Sequence, residues 1–152
     1  MQNHPPVVMV VDDDPLILAA CKSHLEEARY SVLVAEDGEP ALRLLRTQKV
    51  DAVFLDILMP RMDGIETLLE IKKLKLSLRV YTMSGGGRAK VDQFLDVGMK
   101  FGADGRLKKP FSPADMIRLL GSSQNDVLRA GEESRNPKAI RFWPSREAVL
   151  KR

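Results

Sequence analysis

Five side chains in this sequence could together accept a phosphoryl group, provided that the fold brings them to one place. They are the carboxylates of Asp12, Asp13 and Asp56, the hydroxyl of Ser84 and the ammonium group of Lys109. A carboxylate can act as a nucleophile and form an aspartyl phosphate. Three converging carboxylates repel one another unless a cation lies among them, and such oxygen ligands suit Mg2+. The metal ion and the ammonium group would neutralise the transferring group, while the hydroxyl would bond to one of its oxygens.

The positions of these residues along the chain give them a reason to converge. Apolar runs typical of buried strands precede the first two carboxylates, at Val7–Val11, and Asp56, at 53–55. Strand-like and helix-like patterns alternate five times over about 120 residues, which predicts an α/β fold with a parallel sheet and helices on both faces. Right-handed crossovers then bring the carboxyl ends of the strands to one edge, where open sheets place their ligands.

Local sequence signals mark several helix boundaries. Asp14 followed by Pro15 predicts the start of the first helix, and residues 112–115 resemble a capping box for the fifth. Residues 36–38 are interpreted as a turn before the second helix. For the third helix, periodicity leads us to expect an inward face made of Ile65, Leu68 and Leu69.

The composition of the 152-residue chain allows one ordinary domain with a real core, since 44% of its residues are apolar. Positive and negative side chains balance up to Gly121, so the net charge of +3 comes from residues 122–152. Such a segment could attract nucleic acid, but it is more often simply solvated. Cys21 is the single cysteine, and no stretch approaches the ~20 apolar residues of a membrane span. We therefore expect a cytoplasmic protein that makes no membrane contact.

The acidic run at 12–14 allows other interpretations. Asp12 or Asp13 could cap the first helix, but Asp14 is better placed for that role, so two acids remain unexplained. Asp12 and Asp14 also resemble weakly the nucleophile arrangement of haloacid dehalogenase-type phosphatases, which likewise use Mg2+. Such enzymes usually need a longer chain, and this alternative gives no reason for the surroundings of Asp56 and Lys109.

The hydroxyl and the amine also have rivals. Ser84 could be an ordinary turn residue, and Thr82 lies two positions earlier on the same strand; strand alternation and the glycine that follows favour Ser84. Lys108 competes with Lys109, and the adjacency of Lys109 to Pro110 favours Lys109.

Four segments, taken together, resemble the receiver domain of the response-regulator family of two-component signalling. They are residues 10–15, 55–64, 83–85 and 108–111, which read VVDDDP, LDILMPRMDG, MSG and KKPF. Each is weak alone, but in this order and at these intervals they are highly specific. The match covers roughly residues 5–121 and implies a doubly wound, flavodoxin-like sheet with strand order 2-1-3-4-5.

The resemblance implies a role for each member of the set. Asp56 would accept phosphate from a phosphohistidine on a histidine kinase or a histidine phosphotransfer protein. Ser84 would move toward the phosphoryl group, and Lys109 would pair with Asp56 or its phosphate. The Mg2+ ligands would be Asp12, largely through water, Asp13, Asp56 and the backbone carbonyl of Leu58. Such a domain is a signalling phosphoacceptor that catalyses only its own phosphorylation and dephosphorylation, and it acts in a phosphorelay by changing its affinity for a downstream protein.

One position departs from the family pattern. Three residues before Lys109, where the family usually has a tyrosine or phenylalanine that turns inward on activation, this chain has Arg106. A guanidinium group cannot occupy that apolar slot without a charged partner. We therefore expect Arg106 to stay on the surface and to contribute to partner recognition. The resemblance also implies a cis peptide before Pro110.

Residues 122–152 are predicted to be a C-terminal extension, partly irregular, without a separate output domain. They amount to roughly half of a helix-turn-helix domain, so we expect a stand-alone receiver with no direct DNA binding. An apolar patch at 140–143 suggests docking on the receiver or on a partner. A receiver that only binds and takes no phosphate is the last alternative, and the intact acidic set argues against it.

Overall fold

The computed structural model describes residues 4–85 and 91–121, in which strands and helices alternate from end to end. The strands are β1 (Val7–Val11), β2 (Ser31–Ala35), β3 (Ala52–Asp56), β4 (Arg79–Ser84) and β5 (Gly105–Lys108). The helices are α1 (Pro15–Glu27), α2 (Gly38–Thr47), α3 (Gly64–Lys73), α4 (Val91–Lys100) and α5 (Pro113–Gly121). The predicted extension at 122–152, with its apolar patch, lies outside the described residues.

The five strands form one parallel sheet in the order β2-β1-β3-β4-β5, so the predicted fold class and strand order are confirmed. Helices α1 and α5 cover one face of the sheet, and α2, α3 and α4 cover the other. Parallel pairing places the carboxyl ends of all the strands at one edge. None of the helices in the described ranges has the length and apolar character that crossing a bilayer requires.

Strand β4 is tied to the last turn of α5 by two side chains. The Tyr81 hydroxyl donates a hydrogen bond of 2.9 Å to the Leu119 carbonyl, and the Arg79 guanidinium donates one of 2.8 Å to the Leu120 carbonyl. The Tyr81 ring lies 5.2 Å from that of Phe54 on β3. These bonds satisfy carbonyl groups that a helix C-terminus leaves without an intrahelical partner.

Capping residues start the helices where the sequence predicts them to start. Asp14 accepts a hydrogen bond of 3.0 Å from the Leu16 amide at the beginning of α1. Ser112 and Asp115 form the expected reciprocal pair before α5, at 2.8 Å and 3.2 Å. The Lys109–Pro110 peptide is cis, as the resemblance implied.

The expected inner face of α3 is wrong at Leu69, which is 38% exposed. The residues that α3 buries are Gly64, Thr67, Leu68 and Ile71. These residues follow the i, i+3, i+4, i+7 spacing of one helix face, and Leu69 lies about 100° beyond Leu68, outside that face. Ile65 is half-buried and packs with Ile57 and Leu95 in a smaller cluster beside α4.

Candidate functional site

Three carboxylates meet at the carboxyl edge of the sheet. Asp12 follows β1 and Asp56 ends β3, and because Val11 pairs with Leu55 the two acids lie side by side. One carboxylate oxygen from each of Asp12, Asp13 and Asp56 lies within 4.8 Å of the others. Asp12 is fully buried and Asp56 is 4% exposed, whereas Asp13 is open to solvent. The predicted convergence of these three acids is therefore present in the structure.

Lys109 enters the same group of charges from the loop after β5. Its Nζ lies 2.6 Å from Asp12 Oδ2 and 3.3 Å from Asp56 Oδ2. Its amide donates a hydrogen bond of 2.8 Å to the Ser84 carbonyl, and a Cβ built on Gly85 would lie 2.3 Å from the Lys109 Cβ. A glycine at 85 is what lets the lysine stem lie this close to the end of β4. Lys108, the rival amine, is exposed.

Burial sets the proton affinities of the site. It raises the pKa of Asp56 from its ordinary 3.8 to about 6; Lys109 opposes that rise and Asp12 adds to it. Burial also raises the pKa of Asp12, against the pull of Lys109. Burial alone would lower the pKa of Lys109, but the two carboxylates outweigh it and the net shift is upward. The Lys109 ammonium group therefore does not fully offset the effect of burying the Asp12 and Asp56 carboxylates.

The Ser84 hydroxyl is buried beside these charges, and within the described chain its oxygen has no hydrogen-bond partner. Because Asp56 pairs with Met83, Ser84 lies one residue beyond that pair, at the edge of the sheet. The Thr82 hydroxyl likewise has no partner among the described residues, but it lies deeper, under α4. A Cβ built on Gly98 would be 3.1 Å from the Thr82 Oγ1. Its position at the edge favours Ser84 as the hydroxyl that serves the site.

The loop at 57–63 lies beside Asp56, the candidate phosphoacceptor. The Leu58 amide donates a hydrogen bond of 3.3 Å to Asp56 Oδ1, and the Gly64 amide donates one of 2.8 Å to the Ile57 carbonyl. A Cβ built on Gly64 would lie 2.2 Å from the Asp56 carbonyl oxygen, so the start of α3 packs directly on the end of β3. The backbone of Leu58, whose carbonyl the resemblance assigns to the metal, therefore lies beside the Asp56 carboxylate, two positions further along the chain.

A contact that the sequence did not indicate holds the far end of this loop. Asp37, at the start of α2, accepts a hydrogen bond of 3.3 Å from the Met62 amide through Oδ1. From the sequence, residues 36–38 are interpreted as a local turn. The single sequence signal at this place is an aspartate followed by a glycine at the start of a helix. That signal predicts a cap, which Asp37 also provides.

Arg106 does not enter the interior. Its guanidinium group forms an ion pair with Asp96, so this bond links β5 to α4. Both side chains remain substantially exposed, at 38% and 60%. The charged partner that an arginine needs at this position is therefore supplied by the neighbouring helix, close to the surface.

The group of side chains suits a divalent cation bound by oxygen. Among the described residues, three carboxylates face the one ammonium group of Lys109, and two of the carboxylates are buried, so the charge of this group of side chains is negative. Carboxylate oxygens are the donors that Mg2+ prefers, and Mg2+ needs only a few protein ligands because it keeps several waters. Asp14, which the phosphatase alternative requires beside Asp12, has its side chain engaged as the cap of α1.

Comparison with known proteins gives a consistent family. The family model for the response regulator receiver domain matches residues 8–120. The alkaline phosphatase synthesis transcriptional regulatory protein PhoP of Bacillus subtilis is 36% identical over 126 residues, covering 82% of this chain and 49% of PhoP. The transcriptional regulatory protein CpxR of Klebsiella pneumoniae is 32% identical, covering 92% of this chain and 62% of CpxR. The chain thus spans about half to three-fifths of these curated relatives.

Solved structures agree with the sequence relatives. The receiver domain of the Francisella response regulator 1452 superposes with a TM-score of 0.67 at 34% identity, over 76% of this chain and 93% of that domain. A CheY-like receiver domain protein from Methanospirillum hungatei superposes with a TM-score of 0.70 at 25% identity, over 84% and 99%. The fold and the family are therefore the same in both comparisons.

Proposed function

Because the chain belongs to the response regulator receiver domain family of two-component signalling, we propose that Asp56 accepts a phosphoryl group from the phosphohistidine of a histidine kinase or histidine phosphotransfer protein. The observation that carries the proposal is the convergence of three carboxylates within 4.8 Å, with Lys109 bonded to two of them. Asp56 is the nucleophile of this set, because it ends the central strand and is flanked by the loop amide of Leu58.

The transfer requires one bond to form and one to break. A carboxylate oxygen of Asp56 forms the new P–O bond, the P–N bond to the donor histidine breaks, and its electron pair stays on the imidazole nitrogen. The Lys109 ammonium group, now shared between two carboxylates, balances charge on the phosphoryl oxygens. The Ser84 hydroxyl, which has no partner among the described residues, donates a hydrogen bond to one of those oxygens.

We further propose Mg2+ as the cofactor. Asp12, Asp13, Asp56 and the backbone carbonyl of Leu58 would hold it, and their hard oxygen donors fit this ion. When bound, Mg2+ neutralises the negative charge that the phosphoryl group brings. The protein is then a phosphoacceptor, and its only catalysis is of its own phosphorylation and dephosphorylation.

Incubation with acetyl phosphate and Mg2+, followed by intact mass spectrometry, tests this proposal. We expect one added phosphoryl group in the wild-type chain and none in Asp56→Asn or in the presence of EDTA. Borohydride reduction and peptide mapping then locate the modified carboxyl. An adduct on Asp12 would favour the phosphatase alternative, and no adduct in Mg2+ would favour a receiver that only binds.

We propose that the output is a change in affinity for a downstream protein, which requires that protein to bind the two forms unequally. Arg106 is a candidate contact, because its ion pair with Asp96 lies near the surface between α4 and β5. A single cysteine, buried and reduced, fits a cytoplasmic setting. Affinities of the wild-type and Arg106→Ala chains for the downstream protein, each with and without a phosphoryl group on Asp56, test both proposals. Equal affinity for the two forms would contradict the switch, and an unchanged affinity in Arg106→Ala would contradict the contact.

A further inference from the structure

The loop that follows Asp56 is held by a carboxylate outside the acidic site. Asp37 Oδ1 accepts two hydrogen bonds, one of 2.7 Å from the Gly38 amide and one of 3.3 Å from the Met62 amide. The first bond belongs to the start of α2, and the second reaches the end of the loop at 57–63. One oxygen atom therefore joins the start of α2 to the backbone of this loop.

Side-chain packing reinforces the same junction. A Cβ built on Gly38 would lie 2.2 Å from Thr67 Oγ1 and 2.7 Å from Met62 Sδ. Thr67 is itself fully buried, and its hydroxyl donates a hydrogen bond of 2.9 Å to the Asp63 carbonyl. The start of α2 thus packs against both the loop and the first turn of α3, with no space for a side chain at position 38.

The other end of the loop lies at the acidic site. The Leu58 amide bonds to Asp56 Oδ1, and Met59 is 8% exposed in the apolar cluster that also contains Ala41 and Leu42 of α2. The loop is short and is anchored at its beginning, middle and end. Four peptide bonds separate Leu58 from Met62 and each peptide unit is planar, so the position of the Met62 amide restricts the path of the backbone back to Leu58.

We infer that Asp37 is a positioning residue for the metal and phosphoryl site: by holding Met62 it keeps the backbone at Leu58 beside the Asp56 carboxylate. This inference rests on the proposed function, since it assumes that the site binds Mg2+. Asp37 is not one of the three carboxylates that lie within 4.8 Å of one another, so its effect on Mg2+ is indirect. Residues that orient metal ligands without touching the metal are known to affect affinity.

The test compares three variants by calorimetric titration with Mg2+. Asp37→Ala removes both hydrogen bonds, whereas Asp37→Asn keeps the acceptor oxygen and remains a good helix cap. Leu45→Ala is the matched control, because Leu45 is a buried α2 residue about two turns from Asp37 and its loss destabilises the same helix. Amide exchange at Leu58, relative to Phe54 in the centre of β3, reports the loop directly.

For Asp37→Ala we expect Mg2+ affinity to fall about three- to tenfold, around the lower end of the range for residues that orient ligands, with faster relative exchange at Leu58. Asp37→Asn and Leu45→Ala should stay within about twofold of wild type, although Leu45→Ala lowers the melting temperature more. Provided that Asp56→Asn abolishes Mg2+ binding, so that the site itself is established, either of two results would overturn the inference. These are a wild-type Mg2+ affinity in Asp37→Ala and an equal loss of affinity in Leu45→Ala. Absence of Mg2+ binding by the wild-type chain would instead overturn the proposed function, and this inference with it.

Discussion

The ammonium group of Lys109 lies 2.6 Å from a carboxylate oxygen of Asp12, a residue 97 positions earlier in the chain. Asp12 is fully buried, so this bond compensates a charge that water cannot reach. The bond to Asp56 is longer, at 3.3 Å, although the resemblance led us to expect Lys109 to pair with Asp56. Lys109 therefore has a structural role before any phosphoryl group arrives, as the counterion of two buried acids.

Replacing Lys109 by methionine should destabilise the metal-free protein near pH 7 by about 3 kcal/mol, because it leaves two buried carboxylates without their cation. The pKa of Asp56 should rise further, since Lys109 now holds it down. Urea denaturation in EDTA measures the loss. Lys108→Met, at the neighbouring exposed position, is the control and should cost no more than about 1 kcal/mol, the scale of an exposed charged contact. Similar losses in both variants would mean that the ion pairs contribute little.

The raised pKa of Asp56 predicts that the metal-free protein becomes less stable as the pH rises. The folded carboxyl holds its proton up to about pH 6, whereas the unfolded one releases it near 3.8, so the folded state loses stability between these values. A shift of this size corresponds to about 3 kcal/mol. Asp56→Asn should reduce the slope to the part that the raised pKa of Asp12 contributes, and it should be the more stable protein near pH 7 in EDTA. Mg2+ should stabilise the wild type but not Asp56→Asn. A flat wild-type profile would refute the prediction.

Gly64→Ala should both destabilise the fold and weaken Mg2+ binding. The new methyl group would lie 2.2 Å from the Asp56 carbonyl oxygen and 2.5 Å from the Ile57 Cα, so backbone atoms have to move. Overpacking of this kind costs about 1–3 kcal/mol. Gly121→Ala is the control: among the described residues nothing lies within 4 Å of a Cβ built at this position, and alanine is the better helix former. Thermal unfolding and Mg2+ titration should separate the two variants, and unchanged Mg2+ affinity in Gly64→Ala would show that the loop tolerates the shift.

Ser84→Ala and Thr82→Val distinguish the two buried hydroxyls. Neither oxygen has a partner among the described residues, so removing either should leave stability unchanged or slightly increased. Only the loss of Ser84 should slow phosphorylation by acetyl phosphate, by about tenfold, because a hydrogen bond to a charged oxygen is lost. The rate is followed by intact mass. Equal slowing in Thr82→Val would assign the role to the deeper hydroxyl or to both.

The fold could be predicted because its main signals are local in the sequence. The run Val7–Val11 has no polar residue, and it turns acidic at the point where the strand ends, so both the strand and its functional edge are visible in one stretch. Parallel connectivity then brings Asp12 and Asp56 together without further information. Leu69 was misassigned because two adjacent leucines both fit a loose apolar stripe, while Gly64 and Thr67, which the helix does bury, are not apolar signals.

The contacts that the sequence did not predict join residues on different elements, and they depend on how those elements are oriented relative to one another. The bond between Asp37 and the Met62 amide spans 25 positions and depends on how α2 sits against the loop. The pairing of Arg106 with Asp96 depends on the placement of α4 over β5. Periodicity indicates which residues are buried, but it carries no information on which polar groups meet across two elements.

Strand β4 has one end at the acidic site, and side chains near its other end are hydrogen-bonded to α5. Ser84 closes the strand beside Asp56, while Arg79 and Tyr81, at its beginning, bond to the last carbonyls of α5. A strand is nearly inextensible, so any sliding of β4 that carries Ser84 toward a bound phosphate would pull on two hydrogen bonds at Leu119 and Leu120. A displacement of Ser84 at the acidic site would therefore reach the last turn of α5 through these two bonds.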